Sequence, residues 1–497
     1  MKSNKFRIST VMACFIFVTV ISNVSAGIIQ VDVNAPGCVS GSQPDPYTVT
    51  YCSVVDAVAD ASSGDTIQIA PGLYTVTDRI TIAMPDLTLL GPQANIDPRP
   101  CQSTTRTPGS ANEAIIDGQS MVDHIFFLAA SNIILNGLEI KSGTGDLIKQ
   151  DAFFTDNVVQ YCIVHHSSGD DGIQFKYSAN SRIENNHIFS TVGDGASFAY
   201  SSNGIAVNNE IHDVYSEHGG FYIYSSTNIT LMDNLIYDVV HATKGNGIRW
   251  GRGGYGNEGG IIMNNNIHTV TAAGICVEDS SAFGQEPLQI ASNEISNVSI
   301  GGSSWAGIRL EENTSGVAIL LNDIHNNPVG INVTNYGGAP DATTILVQNN
   351  NIYANVHGVM NTGTGTLMAE NNWWGDVTGP YDANGEIEVP ECTDDPLLEM
   401  NADGMGNDAG DTIDYCPWLL EPGPPCINDG DVDNNGQLTP QDAQMAFQIY
   451  LNIIANPTEE ELCSADCNGN DTVSPADALC IYRHYLDGSC DCVDQIF

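Results

Sequence analysis

The sequence predicts an all-β solenoid of the parallel β-helix kind, followed by a small all-α region that binds calcium. Two repeats support this prediction. A unit of 23 to 31 residues recurs between about residue 130 and residue 375, and a 12-residue loop pattern occurs twice near the C-terminus, 35 residues apart. A Pro-rich segment, 416–428, lacks a periodic apolar pattern and is interpreted as the linker between the two regions.

Each unit of the long repeat contains an Asn-rich turn before a marker isoleucine, and a glycine before alternating apolar and polar residues. Alternation is typical of strands, and Gly and Asn supply the tight turns between them. Repeats of this length with short strands and no helical period predict a parallel β-helix. Ile173 and Phe175 should point inward, and Gln174 and Lys176 outward. The marker residues are Ile188, Ile211, Ile236, Ile267, Ile295, Ile324 and Ile352.

Both ends of the coil need caps, because an exposed sheet edge would template aggregation. Residues 51–75 predict a short amphipathic helix, then a strand and a turn, that cover the first turn of the coil. At the other end, Trp373 and Trp374 follow the last Asn turn. We interpret them as an aromatic plug, and a sugar-binding platform is the alternative.

Residues 1–26 are predicted to be a signal peptide. MKSNKFR is basic, an apolar run extends from Ile8 to about Ile21, and Val24-Ser25-Ala26 forms a cleavage pattern. A membrane anchor is disfavoured, because the run is short and spanning needs about 20 apolar residues. We predict a secreted protein, extracellular or associated with the cell surface, without membrane insertion.

The charge of the chain restricts its partners. There are 15 Lys and Arg against 60 Asp and Glu, a formal net charge of −45. Nucleic acid and anionic lipid need a cationic face, so neither is expected as a partner. A polyanionic glycan would be repelled unless calcium or a local cluster of Arg and Lys bridged it.

The sequence has 14 cysteines, of which Cys14 lies in the signal peptide. Most cysteines of a secreted chain should form disulfides. Cys38 with Cys52 and Cys392 with Cys416 are plausible pairs, although other connectivities stay open. The odd number that remains leaves one thiol free or intermolecular.

Four segments of the chain resemble pectin-lyase-like right-handed parallel β-helix proteins. They are DTIQIAPGLYT, AIIDG at 114–118, NNWWGD and IDYCPWL. The resemblance covers roughly residues 27–420, and we place the solenoid with its N-terminal cap at 27–415. It implies the fold but no single activity, because the family includes polysaccharide lyases, glycoside hydrolases, epimerases and proteins without known catalysis.

A first group of candidate catalytic residues is acidic. Asp171 lies in HHSSGDDGIQFKYS, just before a strand, and Asp194 has the same place in the next turn. Adjacent turns are about 4.8 Å apart, a carboxylate separation that suits a retaining glycosidase. His218 precedes the glycines of the following turn, and Asn246 falls in the Asp171 column after that. The alternative is that these acids cap turns or bind a structural cation.

A second group is cationic, in a chain with few positive charges. Lys176, Arg249, Arg252 and Arg309 should face outward on successive turns, and Lys244 is nearby. A lyase needs a basic side chain to remove the proton beside a carboxylate and a cation to neutralise that carboxylate. Ordinary pairing with Glu278, Glu311 or Glu312 is the alternative, and we favour it.

A third feature is a column of rings after the marker isoleucines. Aromatic faces stack on sugars, so an outward column could follow a glycan chain. A self-stacking ladder that stabilises the coil is the alternative, and we favour it. The ring residues are His212, Tyr237, His268, His325 and Tyr353.

The twin loops near the C-terminus predict two calcium sites. Calcium takes six or seven oxygen ligands, and this spacing supplies side chains at places 1, 3, 5, 9 and 12 and a carbonyl at place 7. Thr439-Pro440 and Ser474-Pro475 then predict the capped starts of two helices. The candidate metal-site residues are Asp431, Asp433, Asn435, Gln437 and Asp442 in the first loop, and Asp466, Asn468, Asn470, Thr472 and Asp477 in the second.

Two such loop–helix units resemble a dockerin, the calcium-dependent module that binds a cohesin. The resemblance covers residues 429–492 and implies two calcium ions and a cohesin partner. Asp471 replaces the usual glycine at the sixth place of the second loop. A calcium-stabilised cap without a partner is the alternative.

We therefore expect a secreted protein that acts on or binds polysaccharide and is attached through its dockerin to a cohesin-bearing complex or surface. If it is an enzyme, we expect a uronide-type lyase or a glycoside hydrolase. Its catalytic candidates are Asp171, Asp194, Lys176, His218 and Arg249. The alternative is a non-catalytic surface scaffold or adhesin with a β-helix stalk.

Overall fold

The computed structural model describes most of the chain. The described residues are 26–102, 104–252, 254, 256–281, 286–298, 305–383, 387–388, 399–410, 412–423, 430–433, 438–451, 453–454, 457–467 and 473–487. Within them, the helices are all too short or too polar to cross a membrane.

The chain coils through three parallel sheets, which we name A, B and C in the order in which each turn visits them. Sheet A contains Thr50–Tyr51, Ile28–Val31, Thr66–Ile69, Thr88–Leu90, Ile134–Asn136, Val158–Gln160, Arg182–Glu184, Ile205–Val207, Thr230–Met232, Ile261–Met263, Leu288–Ala291, Val317–Leu320, Ile345–Gln348, Leu367–Met368 and Ile413–Asp414. Sheet B contains Gly72–Thr75, Ala114–Asp117, Glu139–Gly143, Ile163–Ser167, His187–Thr191, Glu210–Tyr215, Leu235–Val240, Asn266–Val270, Glu294–Ser296, Asp323–His325 and Asn351–Tyr353. Sheet C contains Ile80–Ile82, Phe126–Leu128, Ile148–Thr155, Ile173–Ala179, Ala196–Ala199, Gly219–Tyr224, Asn246–Trp250, Ile275–Glu278, Ile308–Glu311, Val329–Val333 and His357–Asn361.

The remaining elements are short. Two small parallel pairs join Pro380–Tyr381 to Gly406–Asp408 and Ile387–Glu388 to Glu399–Met400. The α-helices are Val54–Asp60, Pro440–Tyr450, Glu459–Ala465 and Pro475–Asp487, and Pro100–Gln102 and Ala342–Thr344 are single 3₁₀ turns.

The core of the coil is a stack of inward apolar side chains, as the repeat predicts. All seven marker isoleucines are fully buried, and so are Ile173 and Phe175. Their register neighbours continue the same rows, because Phe175 aligns with Phe198 and that residue with Ile223. The prediction of a parallel β-helix is therefore confirmed.

The corner between sheets A and B explains the Asn pairs of the repeat. From Asn136 to Asn351 this corner is always two residues long. Its first residue adopts a left-handed backbone, for example Asn208 at φ 55° and Asn264 at φ 53°. Asn tolerates that conformation better than most side chains. From Asn186 onward, the second residue is an asparagine that points inward and forms a ladder along the coil.

The inward ladder, which we name the asparagine ladder, joins each amide to the next turn. Its Nδ2 atoms donate to the Oδ1 of the following member at 2.9–3.0 Å, and each of those Oδ1 atoms also accepts the preceding backbone N–H at 2.9–3.1 Å. Buried amides are thereby satisfied. The ladder consists of Asn186, Asn209, Asn234, Asn265, Asn293, Asn322, Asn350 and Asn372.

The ends of the coil are covered as expected. The helix Val54–Asp60 and the strand after it lie where the sequence predicts the N-terminal cap. At the other end, Trp374 is fully buried and packs edge-on to Tyr415. The predicted linker, 416–428, is described as far as Gly423, whose backbone exchanges two hydrogen bonds with the Asn351 side chain. This part of the linker is therefore tied to the last turns.

Cysteine pairing follows the sequence in part. Cys38 and Cys52 form a disulfide, Cys416 is disulfide-bonded, and Cys392 lies outside the described residues. The expectation of a single unpaired thiol is wrong, because the described chain holds three free cysteines, Cys101, Cys162 and Cys276.

Candidate functional site

One column of residues lies at or just before the start of the sheet C strands on successive turns. Strand register aligns Asp146, Asp171, Asp194, Gly219 and Asn246. Each acid accepts the backbone N–H of the next member, Asp146 at 3.2 Å, Asp171 at 2.9 Å and Asp194 at 3.1 Å. The acids therefore cap the turns, which was the alternative role, and Asn246 lies in the predicted column.

Asp171 is held in an environment that disfavours its charge. Its side chain is buried, and its Oδ2 accepts from the Ser197 hydroxyl at 2.5 Å. Burial first, and then the charges of Asp194, Asp146 and Asp170, raise the pKa of Asp171 well above its usual range. A carboxyl whose pKa is raised in this way is suited to general acid catalysis.

Asp194 lies one turn along the coil and contacts a histidine. The hydroxyl of Ser216 and the N–H of Gly219 both donate to its Oδ1. The Nδ1 of His218 lies 3.4 Å from its Oδ2. The predicted neighbours Asp171, Asp194 and His218 are thus brought together.

These three side chains line an open cleft of about 420 Å³. Burial, and then the charge of Asp146, also raise the pKa of Asp170. The ionisable lining combines several acids with few cations, so the cleft is acidic. Its charged or ionisable lining includes Asp170, Asp171, Asp194, Glu217, His218 and Arg252.

Two tyrosines in the cleft were missed by the sequence argument. Tyr222 stacks on His218 with ring centroids 4.2 Å apart, and its buried hydroxyl lacks a hydrogen-bond partner among the described residues. Tyr224 also lines the cleft. The sequence shows both in GGFYIYSS, but alternation alone does not distinguish an exposed ring from one beside a cleft.

Two predicted catalytic residues, Lys176 and Arg249, do not line the cleft. Lys176 lies 2.9 Å from Asp151, and Arg249 makes two hydrogen bonds to Glu278 at 2.8 and 2.9 Å. Strand register places Lys176 two residues further along sheet C than Arg249, which aligns with Tyr222. Both side chains point outward as expected, but they lie three turns apart and in different rows, so the expectation of cations on successive turns is wrong.

The predicted ring column stacks upon itself. On the outer face of sheet B, His212 and Tyr237 lie 4.8 Å apart at 9°, Tyr237 and His268 lie 5.3 Å apart, and His325 and Tyr353 lie 5.0 Å apart. Ser296 interrupts the column. Because the rings cover one another's faces, the self-stacking interpretation fits this geometry better than a glycan track.

The described part of the first calcium loop gathers carboxylates. Ligand atoms of Asp431, Asp433 and Asp442 all lie within 4.8 Å of one another. Asp442 is fully buried and caps its helix by accepting from the N–H of Thr439 at 2.8 Å. Clustered carboxylates at places 1, 3 and 12 fit calcium, which takes oxygen ligands.

The second loop is described only at its two ends. Asp466 and Asp477 are buried, and Asp477 accepts from the N–H of Ser474 at 2.8 Å. The other five candidate ligands lie outside the described residues. They are Asn435, Gln437, Asn468, Asn470 and Thr472.

A family model described as a right-handed β-helix region matches residues 115–255. The match identifies the coil as right-handed, and the matched residues include all those that line the cleft. Among curated proteins, none matches the sequence significantly.

Solved structures give weak likenesses. The A-module of a mannuronan C-5 epimerase from Azotobacter vinelandii aligns at 15% identity with a TM-score of 0.44, over 61% of this chain and 79% of that one. Pectate lyase Pel9A aligns at 13% identity with a TM-score of 0.38, over 66% of this chain and 80% of that one. The Agl-KA catalytic domain aligns at 17% identity with a TM-score of 0.44, over 70% of this chain and 65% of that one. Likenesses at this level carry no argument about activity.

Proposed function

We propose that the chain is a secreted glycoside hydrolase that uses the cleft beside sheet C. The observation that supports this proposal is that Asp171 and Asp194 occupy equivalent positions in adjacent turns and both line the cleft. Asp171 serves as the general acid, because burial and the neighbouring acids raise its pKa. Asp194 serves as the nucleophile, since strands about 4.8 Å apart match the carboxyl separation of retaining enzymes, about 5 Å.

The charge of the cleft favours a neutral glycan as substrate. Asp170, Asp194 and Glu217 line it together with Arg252. A uronide would bring further negative charge into an acidic cleft and would need a cation beside its carboxylate. Lys176 and Arg249 are engaged by Asp151 and Glu278, so the lyase chemistry expected for them has less support.

A non-catalytic scaffold is the second candidate, and one observation favours it. Near the end of the coil, Asp408 accepts from the N–H of Gly358 at 2.7 Å and lies 2.9 Å from Nδ1 of His357. This repeats the contacts that Asp194 makes with Gly219 and His218. An Asp–His–Gly arrangement can therefore stabilise a turn without having a catalytic role.

The same repetition supplies a matched control for the activity test. Wild type, Asp171→Asn, Asp194→Asn and Asp408→Asn would be assayed for new reducing ends on neutral and acidic glycans. Both cleft variants should lose at least about 100-fold in rate, because they remove acid or nucleophile. Asp408→Asn changes an equivalent turn-capping carboxylate that lies outside the cleft, so this variant should keep the activity.

Three results would contradict the hydrolase. Full activity in Asp171→Asn would show that Asp171 is not the general acid. Glycan binding without any cleavage would favour the scaffold. New ultraviolet absorbance from an unsaturated uronide would indicate a lyase instead.

We further propose that residues 429–492 are a dockerin that holds two calcium ions and binds a cohesin on a complex or cell surface. Support comes from the twin loop spacing, the carboxylate cluster of Asp431, Asp433 and Asp442, and the Thr439 cap before Pro440. Secretion, proposed from residues 1–26, would place the module where such partners occur. Calcium-dependent binding to cohesin modules tests this proposal.

A further inference from the structure

We propose that the outer face of sheet B binds one divalent transition-metal ion through His187, Glu210 and His212. His187 belongs to the strand His187–Thr191, and the other two belong to the next strand, Glu210–Tyr215. Register pairs His187 with Glu210. One ligand atom from each residue lies within 4.8 Å of the others. Two imidazoles and a carboxylate form a donor set suited to Zn²⁺ and related ions.

The two imidazoles are oriented toward a shared point. Their Nε2 atoms are 2.8 Å apart although the ring centroids are 5.0 Å apart, so the rings converge at these nitrogens. Asp213 Oδ2 lies 2.9 Å from Nδ1 of His212. A carboxylate at Nδ1 favours the proton there and leaves the Nε2 lone pair free, which is the arrangement found behind metal-bound histidines.

Glu210 is held in position from both sides. The backbone N–H of Cys101 donates to its Oε2 and the Tyr237 hydroxyl donates to its Oε1, each at 2.9 Å. The Cys101 thiol also hydrogen-bonds to Glu210, and a carboxylate with about four lone-pair sites still keeps one for another partner. Ligands on paired strands with fixed side chains are pre-organised for a metal.

His187 is buried, and its Nδ1 has no hydrogen-bond partner among the described residues. An unpartnered polar atom on a buried side chain calls for an explanation, and a bound ion is one.

A direct N–H···N bond between the two rings is the competing explanation. A tetrahedral zinc ion with Zn–N bonds of about 2.05 Å separates two ligand nitrogens by about 3.3 Å. The rings would therefore open by about 0.5 Å at their Nε2 ends to admit it. This site has nitrogen donors and is distinct in chemistry from the oxygen-only loops of the tail.

The test uses the full chain, stripped with a chelator and then saturated with calcium so that the tail sites are filled. Zn²⁺ would be titrated by calorimetry, and Co²⁺ by its visible d–d absorption. His212→Phe removes a ligand but keeps a ring, because Phe189 occupies the same column one turn earlier. His268→Phe is the control, since His268 stacks in that column on the far side of Tyr237. Wild type and His268→Phe should bind one ion alike, and His212→Phe should bind at least about tenfold more weakly.

Equal affinity in wild type and His212→Phe would overturn the site, and so would the absence of binding to wild type. If circular dichroism shows that His212→Phe is unfolded, Asp213→Asn decides instead. The Asp213 side chain is 61% exposed, so its replacement should leave the fold intact. Affinity about tenfold weaker would support the site, and unchanged affinity would overturn it.

Discussion

At the scale of single residues, Asp171 determines the sign of one pH effect. Burial and the acids around it raise its pKa in the folded chain, whereas in the unfolded chain it returns to about 3.9. The folded state thus binds this proton more tightly. Its contribution to the unfolding free energy is fully present below about pH 4 and is lost as the pH rises toward the folded pKa.

We therefore expect Asp171→Asn to become more stable relative to the wild type between about pH 4 and pH 7, because its amide does not ionise. Urea unfolding at several pH values measures the difference. Asp376→Asn is the contrast, since bonds from the N–H and hydroxyl of Thr378 lower the pKa of Asp376. That variant should lose stability relative to the wild type as pH rises. A pH-independent difference for Asp171→Asn would contradict this account.

Individual site residues could be located from the sequence only where the repeat fixes their place. Asp171 and Asp194 were found because each precedes a glycine that comes just before a sheet C strand. Lys176 and Arg249 were misplaced because both are outward residues, and outwardness does not specify the row. His187 was not singled out, although NNHIFS and NNEIHDV put a histidine and a glutamate at one place in consecutive turns.

At the scale of elements, the asparagine ladder should be a main source of stability at the A–B corner. Asn265 is almost fully buried, donates to the carbonyls of Leu231 and Met263 at 2.9 Å, and accepts from the N–H of Asn234 at 3.1 Å. Alanine would leave several of these groups without partners, and each such group costs about 1–3 kcal/mol.

We expect Asn265→Ala to lower the unfolding free energy by about 3 kcal/mol. The neighbouring Asn266 points outward and donates to the Glu294 side chain, so Asn266→Ala is the matched control and should cost under about 1 kcal/mol. Chemical unfolding of the two variants compares the inward and outward positions directly. Similar losses in both would show that the ladder adds little beyond the surface pair.

Elements were easier to predict than sites, for a physical reason. Strand alternation, the inward isoleucines and the Asn corners each follow from backbone geometry that recurs in every turn. The cleft depends instead on where Tyr222 and Arg252 lie relative to the acid column. Those positions follow from the lengths of individual connections, which the repeat leaves variable.

At the scale of the whole molecule, the tail should respond to calcium separately from the coil. Without a cation the close carboxylates of Asp431, Asp433 and Asp442 repel one another. Binding to the folded form alone stabilises it by mass action.

We expect EGTA to lower the midpoint of one thermal transition, that of the tail, and to leave the transition of the coil unchanged. Differential scanning calorimetry of the full chain measures both. Asp442→Asn in calcium should reproduce the effect of EGTA, because it removes a ligand at place 12. A scan unchanged by EGTA would argue against calcium sites in the tail.

The fixed length of the A–B corner also decides where this protein can change in evolution. Since the left-handed residue and the ladder amide fill that corner, an inserted residue there would break hydrogen bonds with two adjacent turns. The variable repeat length within these turns comes from the other connections. The connection from sheet C to sheet A holds five residues between Ala199 and Ile205 but ten between Trp250 and Ile261. New specificities should therefore arise from loops inserted at the other two corners, while the asparagine ladder stays unchanged.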